Sequence, residues 1–254
     1  SGIPRRSCQE DAESIMPELG VALIVRPKFD KATDYGYYYM GLAADYLRTR
    51  MRVRDLSGPD ATKINIDSAL DEEDPIFCYW LGHGNADTYT CQNQEVYMQT
   101  CRGDERLIGR NVLLLSCSCG IRLGPDMAEK GALAVHSWAV DFTWVALGPP
   151  ETDHYAQGFF EAVNEIAYAH AEGQLPMVAH DRSMAVWEKW IDYWSASTDD
   201  YASMVVQNMV NDRDGMRLFG VGDTPSTPPG DMVGAELEMP LVVGQALVLL
   251  SIII

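Results

Sequence analysis

Long apolar runs, cysteines and basic side chains are all scarce in this 254-residue chain. The one extended apolar stretch, LVVGQALVLLSIII from Leu241 to Ile254, is shorter than the ~20 residues a membrane-crossing helix needs. A buried terminal strand and a membrane anchor or partner-binding tail are both open readings of it. The opening SGIPRRSCQEDAESIMPELG lacks the apolar centre of a secretory signal. Six cysteines are too few for a disulfide scaffold in a chain that can bury a full core. Paired C-x-x-C spacing is missing. A zinc site assembled from Cys117, Cys119, His83 and one of Cys78, Cys91 or Cys101 suits thiolate and imidazole chemistry, but no metal ligand is assigned. With 19 Lys and Arg against 37 Asp and Glu, the net charge of -18 repels nucleic acid and anionic membranes. Basic peptides and proteins are attracted.

What is present reads as one folded domain, since 47% of residues are apolar and charged runs are short. GVALIVRP (20–27), IFCYWLGHG (76–84), RNVLLLSCSCG (110–120) and GALAVHSWAV (131–140) are continuous apolar runs bounded by Gly or Pro, the pattern of strands buried on both faces. Helical spacing separates them. DYGYYYMGLAADYLRTRM, with Asp34 as a candidate N-cap, follows the first strand, and a second helix ends at Asp74-Pro75. DMAEK precedes the fourth strand, and DHYAQGFFEAVNEIAYAHAEG and SMAVWEKWIDYWSAS are amphipathic. Trp187, Trp190 and Trp194 share one face of the last, a core or interface pattern. The alternation predicts an α/β fold, a mainly parallel sheet sandwiched by helices on both faces. Cys91 to Leu107 is a polar excursion, a loop or hairpin, and DGMRLFGVGDTPSTPPGD (214–231) is a Gly/Pro loop closing the domain. No internal repeat is visible. The boundaries are an extension over 1–19, a domain over 20–226, and a Pro/Gly linker with the apolar tail over 227–254.

Reactive groups in parallel sheets gather at the carboxyl ends of strands. Here one strand delivers Gly82-His83-Gly84 and another Ser116-Cys117-Ser118-Cys119-Gly120. An imidazole near a thiol can take its proton as it attacks a carbonyl, and the N–H groups of Gly84 and Cys117 can form a two-donor oxyanion hole. Period 2 puts Cys117 and Cys119 on one side of the strand. The remaining histidines, at 136, 154, 170 and 180, read as structural or surface.

An apolar strand ending in His-Gly, followed by one ending in a small residue, Cys and then Gly, resembles the cysteine peptidases of the caspase, legumain, gingipain and clostripain group. FCYWLGHG and VLLLSCSCG carry the resemblance; GALAVHSW and RLFGVGDTP are similar to later strands of gingipain-like members, and the likeness spans Val21 to Pro225. It implies a caspase-like fold, Cys117 as nucleophile, His83 as base and acid, and Gly84 with Cys117 as oxyanion donors. No cofactor is implied. HSWAVDFTW then lies beside the specificity pocket, with Ser137, Trp138 and Trp144 as its walls and Asp141 as the acid for a basic residue before the scissile bond. The QACRG of caspases is absent, and Leu115 stands where clostripain-like members carry an acid. The expected function is a cysteine endopeptidase acting on peptide or protein substrates. The competing one is a catalytically silent subunit of the same fold that docks a membrane or protein partner through 241–254.

Overall fold

The computed structural model describes residues 20–220 and the backbone of 250–253. The expected extension over 1–19 and most of the linker and tail lie outside the described residues. A six-stranded sheet of order β2-β1-β3-β6-β7-β9 forms the centre. Its strands are β1 (Val21–Arg26), β2 (Arg52–Ser57), β3 (Phe77–Leu81), β6 (Asn111–Leu115), β7 (Ala134–Trp138) and β9 (Met216–Phe219). The first five are parallel, and β9 joins antiparallel to β7. β1, β3 and β7 are buried at nearly every position because both of their faces are covered. β2, at the edge, alternates exposed charge with partly buried residues, which discourages pairing with another chain.

Helices α1 (Lys31–Arg48), α4 (His154–Ala171), α5 (Pro176–Ser195) and α6 (Ala202–Gly215) cover one face, packing on Ile24, Tyr79, Leu81, Leu113 and Leu115. Trp187 and Trp194 are buried in this layer. The other face holds Leu23, Val25, Trp80, Val112 and Leu114 under α2 (Lys63–Glu73), α3 (Leu123–Glu129) and the hairpin β4 (Thr88–Thr90) to β5 (Val96–Gln99). This is the sandwich that the alternation of strands and helices predicts. The hairpin occupies the polar excursion, where Cys91 is buried, Cys101 exposed, and both are free thiols.

Two local expectations need correction. The cap of α1 is Asp30 rather than Asp34, because Asp30 and Thr33 form a reciprocal capping box: the Thr33 N–H donates to the Asp30 carboxylate at 2.8 Å and the Asp30 N–H to the Thr33 hydroxyl at 3.0 Å. The stretch expected as a loop from Asp214 contains β9, whose residues pair with Val135 to Trp138. Outside the central sheet, β8 (Thr143–Ala146) pairs antiparallel with β10 (Leu250–Ile253), so the described part of the apolar tail is a strand. Among the described residues no helix is long and apolar enough to cross a membrane.

Candidate active site

β3 and β6 are neighbours, with Leu81 level with Leu115, and the Gly82 N–H still donates to the Leu115 carbonyl at 3.3 Å. His83 and Cys117 therefore each stand two residues past the same pair, on one rim, where adjacent strands lie ~4.8 Å apart. Leu81, Leu115 and Cys117 all belong to the core face that carries α1. The His83 ring reaches that helix too. Its Nε2 lies 2.6 Å from the Asp30 carboxylate, and its face meets the Phe29 ring edge-on.

Asp30 is the member that sequence reasoning missed. One carboxylate oxygen caps α1 and the other holds the imidazole, so the ring is oriented and Nδ1 is left as the nitrogen free to take a proton. Partial burial pushes the Asp30 carboxyl up, but hydrogen bonds from the Thr33 backbone, His83 and the Thr33 hydroxyl outweigh it and leave it below the usual range. The signal was present as Asp30-x-x-Thr33 just after the carboxyl end of β1, the rim where such groups collect. Asp30→Asn keeps an oxygen for the cap but loses the charge beside the ring. On the cysteine-peptidase expectation, peptide hydrolysis should fall at least about tenfold with little change in melting temperature. Equal activity in the two proteins would remove Asp30 from the mechanism.

The turn that carries Cys117 follows from β6 ending at Leu115. Ser118 adopts a left-handed backbone (φ 56°), its N–H donates to the Val140 carbonyl at 2.9 Å, and its hydroxyl donates to Asp141 at 2.7 Å. This turn breaks the alternation of strand faces. Cys117 packs with the α1 face and Cys119 with the opposite one, contrary to the expectation that they share a side, and they do not converge on a common site. Among the described residues no group of three or more His, Cys, Asp or Glu is arranged to hold a metal ion.

Cys117 is 3% exposed. Burial, and after it the Asp141 carboxylate, hold its thiol well above the ordinary cysteine value despite a hydrogen bond from the Phe142 N–H to the sulfur. Cys119, pushed up to about 12 by burial, hydrogen-bonds toward the Thr88 carbonyl at 3.5 Å. Gly84 is packed between these walls: a Cβ there would stand 2.7 Å from the Cys119 sulfur, 2.8 Å from the Thr88 carbonyl oxygen, and closer still to the Ser116 hydroxyl. Among the described residues the N–H groups of Gly84 and Cys117 donate to no backbone acceptor.

The predicted pocket residues separate. Asp141 is exposed beside the turn and accepts a hydrogen bond from the Ser118 hydroxyl at 2.7 Å. Trp138 and Trp144 are fully enclosed in the α1 layer, Trp138 donating to the Asp212 carbonyl at 3.0 Å and Trp144 packing on Tyr35, Phe142 and Phe160. Ser137 is buried on the other face, near Gly124. None of these three presents a wall to solvent: Ser137 and Trp138 lie on β7, an interior strand with both faces covered, and Trp144 of β8 is enclosed in the layer that carries α1. Asp212, fully buried in α6 and held well above the usual carboxyl range by that burial, accepts the Thr143 N–H at 3.3 Å and so anchors the segment behind Cys117. Compared with known proteins, the chain matches no family model and no curated protein.

Proposed function

We propose that this protein is a cysteine endopeptidase in which Cys117 attacks and His83, oriented by Asp30, carries the proton. The observation that supports it most is the common register of His83 and Cys117 beyond the Leu81 and Leu115 pair; among the described residues the N–H groups of Gly84 and Cys117 also lack a backbone acceptor. The thiol is protonated at rest, so the step is general-base assisted rather than attack by a preformed thiolate. The Cys117 sulfur bonds to the scissile carbonyl carbon as its proton passes to His83, and the oxyanion is received by the Gly84 and Cys117 N–H groups. Collapse breaks the C–N bond, and the proton moves from His83 to the departing amine. Water then attacks the thioester, giving a proton to His83 that returns to the sulfur as the acid leaves. Asp141 favours Arg or Lys before the scissile bond, in keeping with the net charge.

The test is labelling by peptidyl chloromethyl ketones at neutral pH, with the modified residue identified by mass spectrometry because Cys101 is exposed and reacts independently. Reagents ending in Arg or Lys should label Cys117 faster than those ending in Asp, and His83→Ala should abolish the labelling. A folded protein whose Cys117 stays unmodified is instead a silent binding subunit. The raised thiol adds a second expectation. Alkylation of Cys117 by iodoacetamide should keep climbing beyond pH 9, since more thiolate forms as pH rises toward the elevated value. A plateau below pH 8 would replace the general-base step with a standing ion pair.

A further inference from the structure

A cavity of about 350 Å³ lies between α1 and α4 and shares no lining residue with the Cys117 site, a size that holds a small organic molecule. Tyr38, Tyr39 and Leu42 of α1 form one wall. Opposite them, Gln157, Glu161, Asn164 and Tyr168 recur at intervals of three or four residues, which puts them on one stripe of α4. The turn over 150–153 closes one end. The aromatic wall is held in place: Tyr39 stacks on Phe160 at 4.5 Å and meets Tyr38 edge to face at 5.1 Å.

Among the described residues no Lys or Arg lines this cavity, whereas Glu151, Asp153 and Glu161 do. Their hydrogen bonds come from neutral donors. Asp153 accepts the Tyr35 hydroxyl at 2.6 Å and the Leu147, Gly148 and Tyr155 N–H groups. Glu161 accepts the Gln157 amide at 2.6 Å and the Trp190 indole at 2.9 Å. Glu151 is exposed and makes no hydrogen bond or ion pair among the described residues; Lys28, whose charge it feels, is already paired with Asp34 at 2.6 Å. The positive end of α4 amounts to about half a charge, which its cap Asp153 more than offsets, so Glu151 and Glu161 stand as net charge. Tyr39 registers the same field: burial first, then Asp153, Tyr38, Glu161 and Glu151, hold its hydroxyl well above the ordinary value.

Glu161 leaves α4 about 12 Å along the helix from the cap, with Glu151 beyond the cap, so the charge is spread along the cavity rather than gathered at a point. A compact metal ion is poorly matched to that. Amino groups joined by methylenes match it, because ammonium ions seek carboxylates and aromatic rings while the stem between them is apolar. We propose that the cavity between α1 and α4 binds a linear aliphatic polyamine, its ammonium groups at Glu151 and Glu161 and its methylenes against Tyr38, Tyr39 and Leu42. The site stands independently of the peptidase reading.

The probe is spermidine, titrated calorimetrically into the full chain at about 0.15 M salt, which screens the diffuse attraction of the net charge. Binding should saturate at one per chain. Glu151→Gln with Glu161→Gln should weaken it at least about tenfold. Glu72→Gln with Glu129→Gln removes the same charge from exposed positions outside the cavity and should leave the affinity within about twofold of the parent. Tyr38→Leu, which keeps every carboxylate, should weaken binding about threefold or more. Magnesium chloride at the spermidine concentration should not displace it. Absence of saturable binding, equal weakening in the two double variants, or displacement by magnesium overturns the proposal. Should the cavity double variant fail to melt cooperatively, Tyr38→Leu decides: unchanged affinity there also overturns it.

Discussion

Gly84→Ala is expected to cut peptide hydrolysis by about a hundredfold or more, the scale of losing one oxyanion donor. The demand at this position is for room and not for an unusual backbone, since Gly84 is not among the residues with positive φ. An added methyl would meet the Ser116 hydroxyl, the Cys119 sulfur at 2.7 Å and the Thr88 carbonyl at 2.8 Å. The first two belong to the nucleophile turn and the third to β4, so relief of the clash must move His83-Gly84 away from Cys117 or displace the turn itself. Either motion spoils the alignment of the two N–H groups. Overpacking of this kind costs about 1–3 kcal/mol, so the variant should melt lower yet remain folded. Alkylation of Cys117 by iodoacetamide, which needs no oxyanion hole, should change far less than hydrolysis. A Gly84→Ala protein with unimpaired hydrolysis would remove the Gly84 N–H from the mechanism.

A second large effect is expected on acidification. His136 of β7 is fully buried, and among the described residues neither of its ring nitrogens has a hydrogen-bond partner. Its ring lies 6.2 Å from that of His170 at the end of α4 and 5.8 Å from that of His180 in α5. Burial, and then the neighbouring rings, drive His136 well below the ordinary histidine value; burial takes His170 down to about 4; His180 is also lowered, with only Asp181 opposing. These groups bind protons more weakly folded than unfolded. Between the unfolded value of 6.5 and the folded one near 4, the unfolded chain holds more protons, so stability falls as pH drops through that window. His170 alone accounts for about 3 kcal/mol once the window has been crossed. Melting temperature should therefore decline steeply from pH 6.5 to 4.5 as α4 and α5 lose their seat on the sheet. His136→Leu, which removes two unpartnered nitrogens while filling similar space, should raise the melting temperature and flatten that decline. Identical slopes in the two proteins would show that the cluster does not govern acid sensitivity.

The strands were legible because both faces of the sheet are covered, which forces Val21–Val25 and Phe77–Leu81 into unbroken apolar runs bounded by turn residues. His83, Gly84 and Cys117 were legible for a related reason: a polar or flexible residue directly after such a run marks the end of the strand, which places all three at the carboxyl rim of the sheet. Asp30 was harder to find. The capping pattern that marks it competes with Asp34 four residues later, and only the packing of α1 against β3 brings its free oxygen to His83. The pocket walls failed differently. Trp138 and Trp144 are placed by chain proximity to Cys117, but whether a side chain near a site faces a groove or a core depends on which layer covers it, and α4, α5 and α6 come later in the chain.

By itself the sequence determined the layered α/β fold, the two strands that end in imidazole and thiol, and a strong net negative charge. The tertiary structure decided that these strands are adjacent and in register, that Cys119 turns away from Cys117, and that the last described strand lies on β8. The division has a physical cause: burial writes its period into a segment locally, whereas register, the face taken after a turn, and strand partners depend on contacts between residues far apart in the chain.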